Sequence, residues 1–120
     1  MASSDELPTF ITSSFRSVWA LELLLLLKRE ATARSSEELV EQMRASSSVV
    51  EKARQELVAA GLAGTDGPMI RYMPVSPAVA ALVEETEELY ASRPDRVRRL
   101  IVSYSNRGLT AFSDAFRLKD

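Results

Sequence analysis

Two stretches of this chain carry the same helix-opening chemistry, and only a short polar break separates the helices they start. Ser35-Ser36-Glu37-Glu38 and Ser48-Val49-Val50-Glu51 both read as capping boxes. In that motif a hydroxyl accepts from the backbone amide three residues on, and the glutamate there reaches back to the amide of the cap. The first helix turns Leu39, Val40 and Met43 inward, and the second turns Val50, Ala53, Leu57 and Val58 inward. Ala45-Ser46-Ser47-Ser48 is the break between them, and Gly61 ends the second helix where a left-handed residue is wanted. Two capped helices of about ten residues joined by so tight a turn are a helix-turn-helix.

The flanking sequence fills out a mainly helical chain with one small hairpin. Residues 9–30 have Phe10, Ile11, Phe15, Val18, Trp19, Leu23 and Leu26 at helical spacing, which predicts one long helix. Leu24, Leu25 and Leu27 widen its apolar stripe almost all round, so it belongs at the centre, with Trp19 in the core. After Gly61 the period shortens. Leu62-Ala63-Gly64 and Met69 to Met73 are expected strands around Asp66-Gly67, a hairpin signal. Ser76-Pro77 starts a helix with a hydroxyl cap and proline in its first turn; Val79, Leu82, Val83, Thr86, Leu89 and Tyr90 form its inner face. Pro94-Asp95 starts another, with Val97, Leu100, Ile101 and Tyr104 inward, and Leu109, Phe112 and Phe116 suggest a last amphipathic segment.

Composition removes several functional classes. The 120 residues include neither Cys nor His. That excludes disulfides, thiolate zinc sites, cysteine nucleophiles and any histidine general base. No catalytic set, metal site or cofactor is therefore expected, and the chain reads as a non-enzyme. Its longest apolar run is Leu23 to Leu27, between Glu22 and Lys28, far short of the roughly 20 residues of a membrane span. With a polar, acidic start at Met1 to Glu6, a cytoplasmic location away from membranes is expected. The net charge of −2 is unevenly spread. Residues 77–92 carry Glu84, Glu85, Glu87 and Glu88 without a basic residue, whereas residues 93–120 carry six Arg and one Lys against three Asp. Pairing between these neighbouring segments, through Arg93, Arg96, Arg98 and Arg99, is the simplest expectation.

The run SSEELVEQMRASSSVVEKARQELVAAGL followed by a hairpin resembles the DNA-binding core of bacterial regulators of the MarR and ArsR type. The resemblance spans Ser35 to Tyr72 and includes Leu57 placed before the Gly61-Leu62 pair. It implies a winged helix-turn-helix with extra C-terminal helices, divided as a flexible N-terminus (1–8), the winged domain (9–92) and a helical extension for dimerisation or docking (93–120). It further implies that the third helix enters the major groove of double-stranded DNA while the wing follows the backbone. The residues then expected at DNA are Ser46, Ser47, Ser48, Lys52, Gln55, Arg34, Arg44 and Arg71. Ser46 to Ser48 offer hydroxyls and amides at a helix start, Lys52 and Gln55 can meet base edges, and Arg71 sits on the wing. Leu109, Phe112 and Phe116 are the expected dimer contacts. The alternative is a winged helix that has lost DNA affinity and docks on another regulator, favoured by Glu51, Glu56 and Asp66.

Overall fold

The computed structural model describes residues 6–103, and its order of elements follows from where the chain finds caps. Helix α1 (Glu6–Ser14) is followed by α2 (Val18–Glu30), a two-residue strand β1 (Arg34–Ser35), α3 (Ser36–Met43) and α4 (Ser47–Ala59). Strands β2 (Ala63–Asp66) and β3 (Met69–Tyr72) form the hairpin, and α5 (Pro77–Ser92) follows. A last helix, α6, occupies residues 94–103. The structure is thus mainly helical, with one small antiparallel sheet.

The single helix expected over residues 9–30 is two helices bent by 102°. Ser17 is extended, and its Oγ accepts from the Ala20 amide at 3.2 Å, so α2 has its own cap. Phe15, only 1% exposed, is buried at the corner with its ring edge-on to Phe10. The apolar spacing ran unbroken through this corner because Phe15 is buried by the bend as it would have been by a straight helix. The first turn of α1 begins at Glu6, so residues 6–8, expected in a loose terminus, belong to a helix.

Helix α2 is the central element, with Ala20, Leu21, Leu23, Leu24, Leu25 and Leu27 all buried. Around it Ile11, Leu39, Val50, Ala53, Leu57, Leu62, Ile70, Val83, Val97 and Ile101 close one continuous core. Trp19, expected inside, is 40% exposed, and Val58 is also 40% exposed. Trp19 lies in the first turn of α2, next to the corner, outside the buried set Ala20 to Leu27 of that helix.

The capping box at Ser35 is present in both directions: Ser35 Oγ accepts from the Glu38 amide at 3.2 Å, and Glu38 accepts from the Ser35 amide at 3.0 Å. The box at Ser48 is not. Ser46 caps α4, its Oγ accepting from the Val49 amide at 3.2 Å. At the far end Gly61, with φ 77°, gives its amide to Val58 O while Leu62 gives its amide to Leu57 O, the paired bonds of a Schellman ending.

The hairpin pairs Ala63 with Tyr72 and Asp66 with Met69, and Gly67 takes the positive φ at its tip. One strand was not foreseen: β1 pairs Arg34 with Ile70 and Ser35 with Met69, giving the order β1-β3-β2. Two residues are too few to show an alternating pattern. The expected pairing of the arginine cluster with α5 is also replaced. Among the described residues Glu87 pairs with Lys28 on α2 at 2.7 Å, while Arg98 meets Asp95 and the Tyr90 ring. No single described helix is long and apolar enough to cross a membrane.

Candidate nucleic-acid interface

Helix α4 buries Val50, Ala53 and Leu57 and turns the opposite face outward. That face carries Ser47, Ser48, Glu51, Lys52 and Gln55, all exposed, with Ser46 at its cap. The helix-start amides therefore open to solvent beside three hydroxyls, of which Ser46 and Ser48 lie within 3.1 Å of each other. Arg44 occupies the preceding turn as the C-cap of α3, with φ 54°. This left-handed conformation costs a non-glycine residue roughly 1–2 kcal/mol. Arg71 stands exposed on β3, opposite Gly64.

The basic side chains divide into two groups. Among the described residues, Arg44, Lys52 and Arg71 have no hydrogen-bond or ion-pair partner. Arg34, also expected at DNA, is half-buried and committed on both sides, to Glu30 and to Glu38 at 3.2 Å. It ties the end of α2 to the start of α3 across β1. The same contact, with the Ser35 amide bond as the main cause, holds the Glu38 carboxyl below its ordinary pKa.

A further cation belongs to this surface and was missed. Arg54 Nη1 donates to Ser36 Oγ at 2.5 Å and to Pro68 O, beside the hairpin tip, at 3.1 Å. Ser36 in turn donates to Glu51 Oε1 at 2.5 Å. Glu51 is thus drawn sideways onto α3 rather than left loose on the exposed face, and it plays no capping role. The Glu51–Arg54 spacing of one helical turn was the available signal. That spacing alone does not reveal the bridge, because the intervening Ser36 comes from another element.

Glu51, Arg54, Gln55, Val58, Ala59 and Thr65 line an open groove between α4 and β2. Beyond it the strand leaving the hairpin returns along the end of α4, Val75 giving its amide to Gly61 O at 2.8 Å. This leaves Met73 and Val75 exposed, Val75 at 73%. Leu109, Phe112, Phe116 and Tyr104 lie outside the described residues. Comparisons of the chain with protein-family models, curated proteins and solved structures found no match.

Proposed function

We propose that the chain is a DNA-binding transcriptional regulator of the winged helix-turn-helix type, a cytoplasmic homodimer without catalytic activity. The order helix, strand, helix, helix, strand, strand from α2 to β3, with the sheet order β1-β3-β2, supports the winged reading. The observation that carries the functional reading is the placement of Arg44, Lys52 and Arg71. These three cations are exposed and, among the described residues, uncommitted around the solvent face of α4, while Glu51 is engaged by Ser36. In this reading α4 lies in the major groove, Lys52 and Gln55 meet base edges or phosphates, Ser46 to Ser48 seat a phosphate, and the wing carries Arg71 to the backbone.

The test is selection from a random duplex pool at low salt, followed by titration of the selected duplex at two salt concentrations. Arg71→Ala is expected to weaken all duplexes alike and to reduce the salt slope by about one. Gln55→Ala is expected to flatten the preference among sequences, a loss of about 1–3 kcal/mol of discrimination. A Lys52→Ala, Gln55→Ala, Arg71→Ala triple variant that keeps both affinity and preference overturns this docking.

One observation favours a second reading, an interaction module that docks on another protein. Val58, Met73 and Val75 are exposed at the foot of the hairpin, on a chain of net charge −2. In that case the selection yields no enriched sequence, and the triple variant binds duplexes no worse than the native chain.

A further inference from the structure

Glu51 is free of the role that its spacing from Ser48 suggests. Ser46 caps α4, so Val49 is the third helical residue, and Glu51 lies two residues beyond the place from which a glutamate reaches back to the cap. Its side chain is fixed all the same. Arg54 Nη1 donates to Ser36 Oγ, and the Ser36 proton goes to Glu51 Oε1, both at 2.5 Å. The second oxygen, Oε2, meets no donor among the described residues. Glu51 is exposed and lines the open groove between α4 and β2, with Gln55 one turn further along the same face. A held carboxylate is narrow in what it recognises, because it accepts and cannot donate. On the major-groove edges cytosine presents an amino group and no acceptor of its own. Adenine sets N7 beside its amino group, and thymine O4 and guanine O6 and N7 are acceptors.

We infer that Glu51 is a specificity-determining residue for cytosine, its Oε2 accepting from the N4 amino group, with Ser36 and Arg54 as positioning residues. The inference rests on the DNA reading and adds to it a base that the bound duplex carries. An acceptor of thymine or guanine at that place meets the carboxylate lone pairs, so the wrong base loses a bond and adds a repulsion. A loose glutamate would turn away from that repulsion at little cost. One tethered through Oε1 cannot swing without breaking the Ser36 bond, and the tether is what converts its charge into discrimination. The Arg54 guanidinium, one serine away, offsets the negative charge in a groove flanked by phosphates. Gln55 lies four residues on, about 6 Å along the helix axis, so its base falls within about two steps of the cytosine.

The test starts from the duplex that the full chain selects out of a random pool. Each position of that site is changed in turn to the other three base pairs. Affinities are measured at one salt concentration for the native chain, Glu51→Gln and Ser36→Ala, with denaturation midpoints reporting that both variants are folded. The native chain is expected to hold a C·G pair at one position and to bind about tenfold or more weakly when it becomes T·A. Glu51→Gln, close to isosteric, is expected to bring that ratio within about threefold and to favour adenine there, since an amide pairs with adenine. Ser36→Ala keeps the carboxylate but releases it, so the same ratio is expected to fall while the preference at the Gln55 position stays. If the relay only ties α3 to α4, both variants weaken every duplex alike and leave all ratios unchanged, which overturns the inference. An enriched site with no cytosine position that responds to Glu51→Gln also overturns it and leaves the DNA reading standing. A pool that yields no enriched sequence overturns both.

Discussion

Gly61 and Gly67 both hold a positive φ, 77° and 61°, in unlike surroundings. A Cβ at Gly61 meets the Val75 side chain at 3.3 Å, whereas one at Gly67 meets nothing within 4 Å. Gly67→Ala therefore incurs only the left-handed strain, roughly 1–2 kcal/mol, partly offset by a less flexible unfolded chain. Gly61→Ala adds a displaced Val75 and a loosened end to α4, so chemical denaturation is expected to rank it clearly below Gly67→Ala. Equal midpoints would place the strain wholly in the backbone. Glu38 gives the residue scale its pH dependence. Its carboxyl is held low, first by the Ser35 amide bond and then by Arg34, so the folded state binds fewer protons than the unfolded one below neutrality. The stabilisation is complete above the ordinary glutamate value near about 4.3 and fades as pH falls through the lowered folded value. Unfolding followed from pH 6 to pH 2 should show a shallower acid loss in Glu38→Gln than in the native chain, with no difference at neutrality in that slope. At the alkaline end Lys28 is raised by its bond to Glu87, and burial raises Tyr72 and Tyr90. All three hold their protons more tightly when folded, and their contribution is lost as pH climbs past about 10.

Helix starts decide the architecture at the next scale, and α4 offers a direct test. Because Ser46 and not Ser48 accepts from the Val49 amide, Ser46→Ala should lower stability by about 1 kcal/mol, while Ser48→Ala should change it by only a few tenths. Thermal melts that rank the two in the opposite order would put the cap back at Ser48. The ambiguity shows what a sequence can carry. Three consecutive serines provide the same acceptor at three registers, and only the packing of Val50, Ala53 and Leu57 selects among them. Signals written in unique residues were legible: the Ser35–Glu38 box, the left-handed Gly61, the turn at Asp66-Gly67 and the Ser76-Pro77 start all lie where expected. The corner at Phe15 was not, since a buried aromatic satisfies a straight stripe and a bend equally. At the candidate site the exposed positions of α4 followed from its inward stripe. The fates of Arg34 and Arg54 did not: Arg34 meets Glu30 and Glu38, each four residues away, only because β1 brings two helix ends together, and the partners of Arg54 come from other elements.

For the whole molecule, the proposed homodimer is open to a simple optical test. Trp19 is the only tryptophan and is 40% exposed in the protomer. If the N- and C-terminal helices supply the contact, dilution should shift its emission to the red in step with a halving of mass by sedimentation, and deletion of residues 109–120 should move that transition to higher concentration. A monomer at micromolar concentration, with emission independent of dilution, would remove the homodimer from the reading. The Arg54 bridge bears on the molecule in another way. By fastening Pro68 to α4 and Ser36, it holds the hairpin tip, α3 and α4 in a single arrangement before anything is bound. A loop that must settle on arrival surrenders motional freedom at the moment of encounter, and that loss is subtracted from affinity. Here the freedom was already given up during folding, so whatever this surface meets, the collision finds it in its final shape.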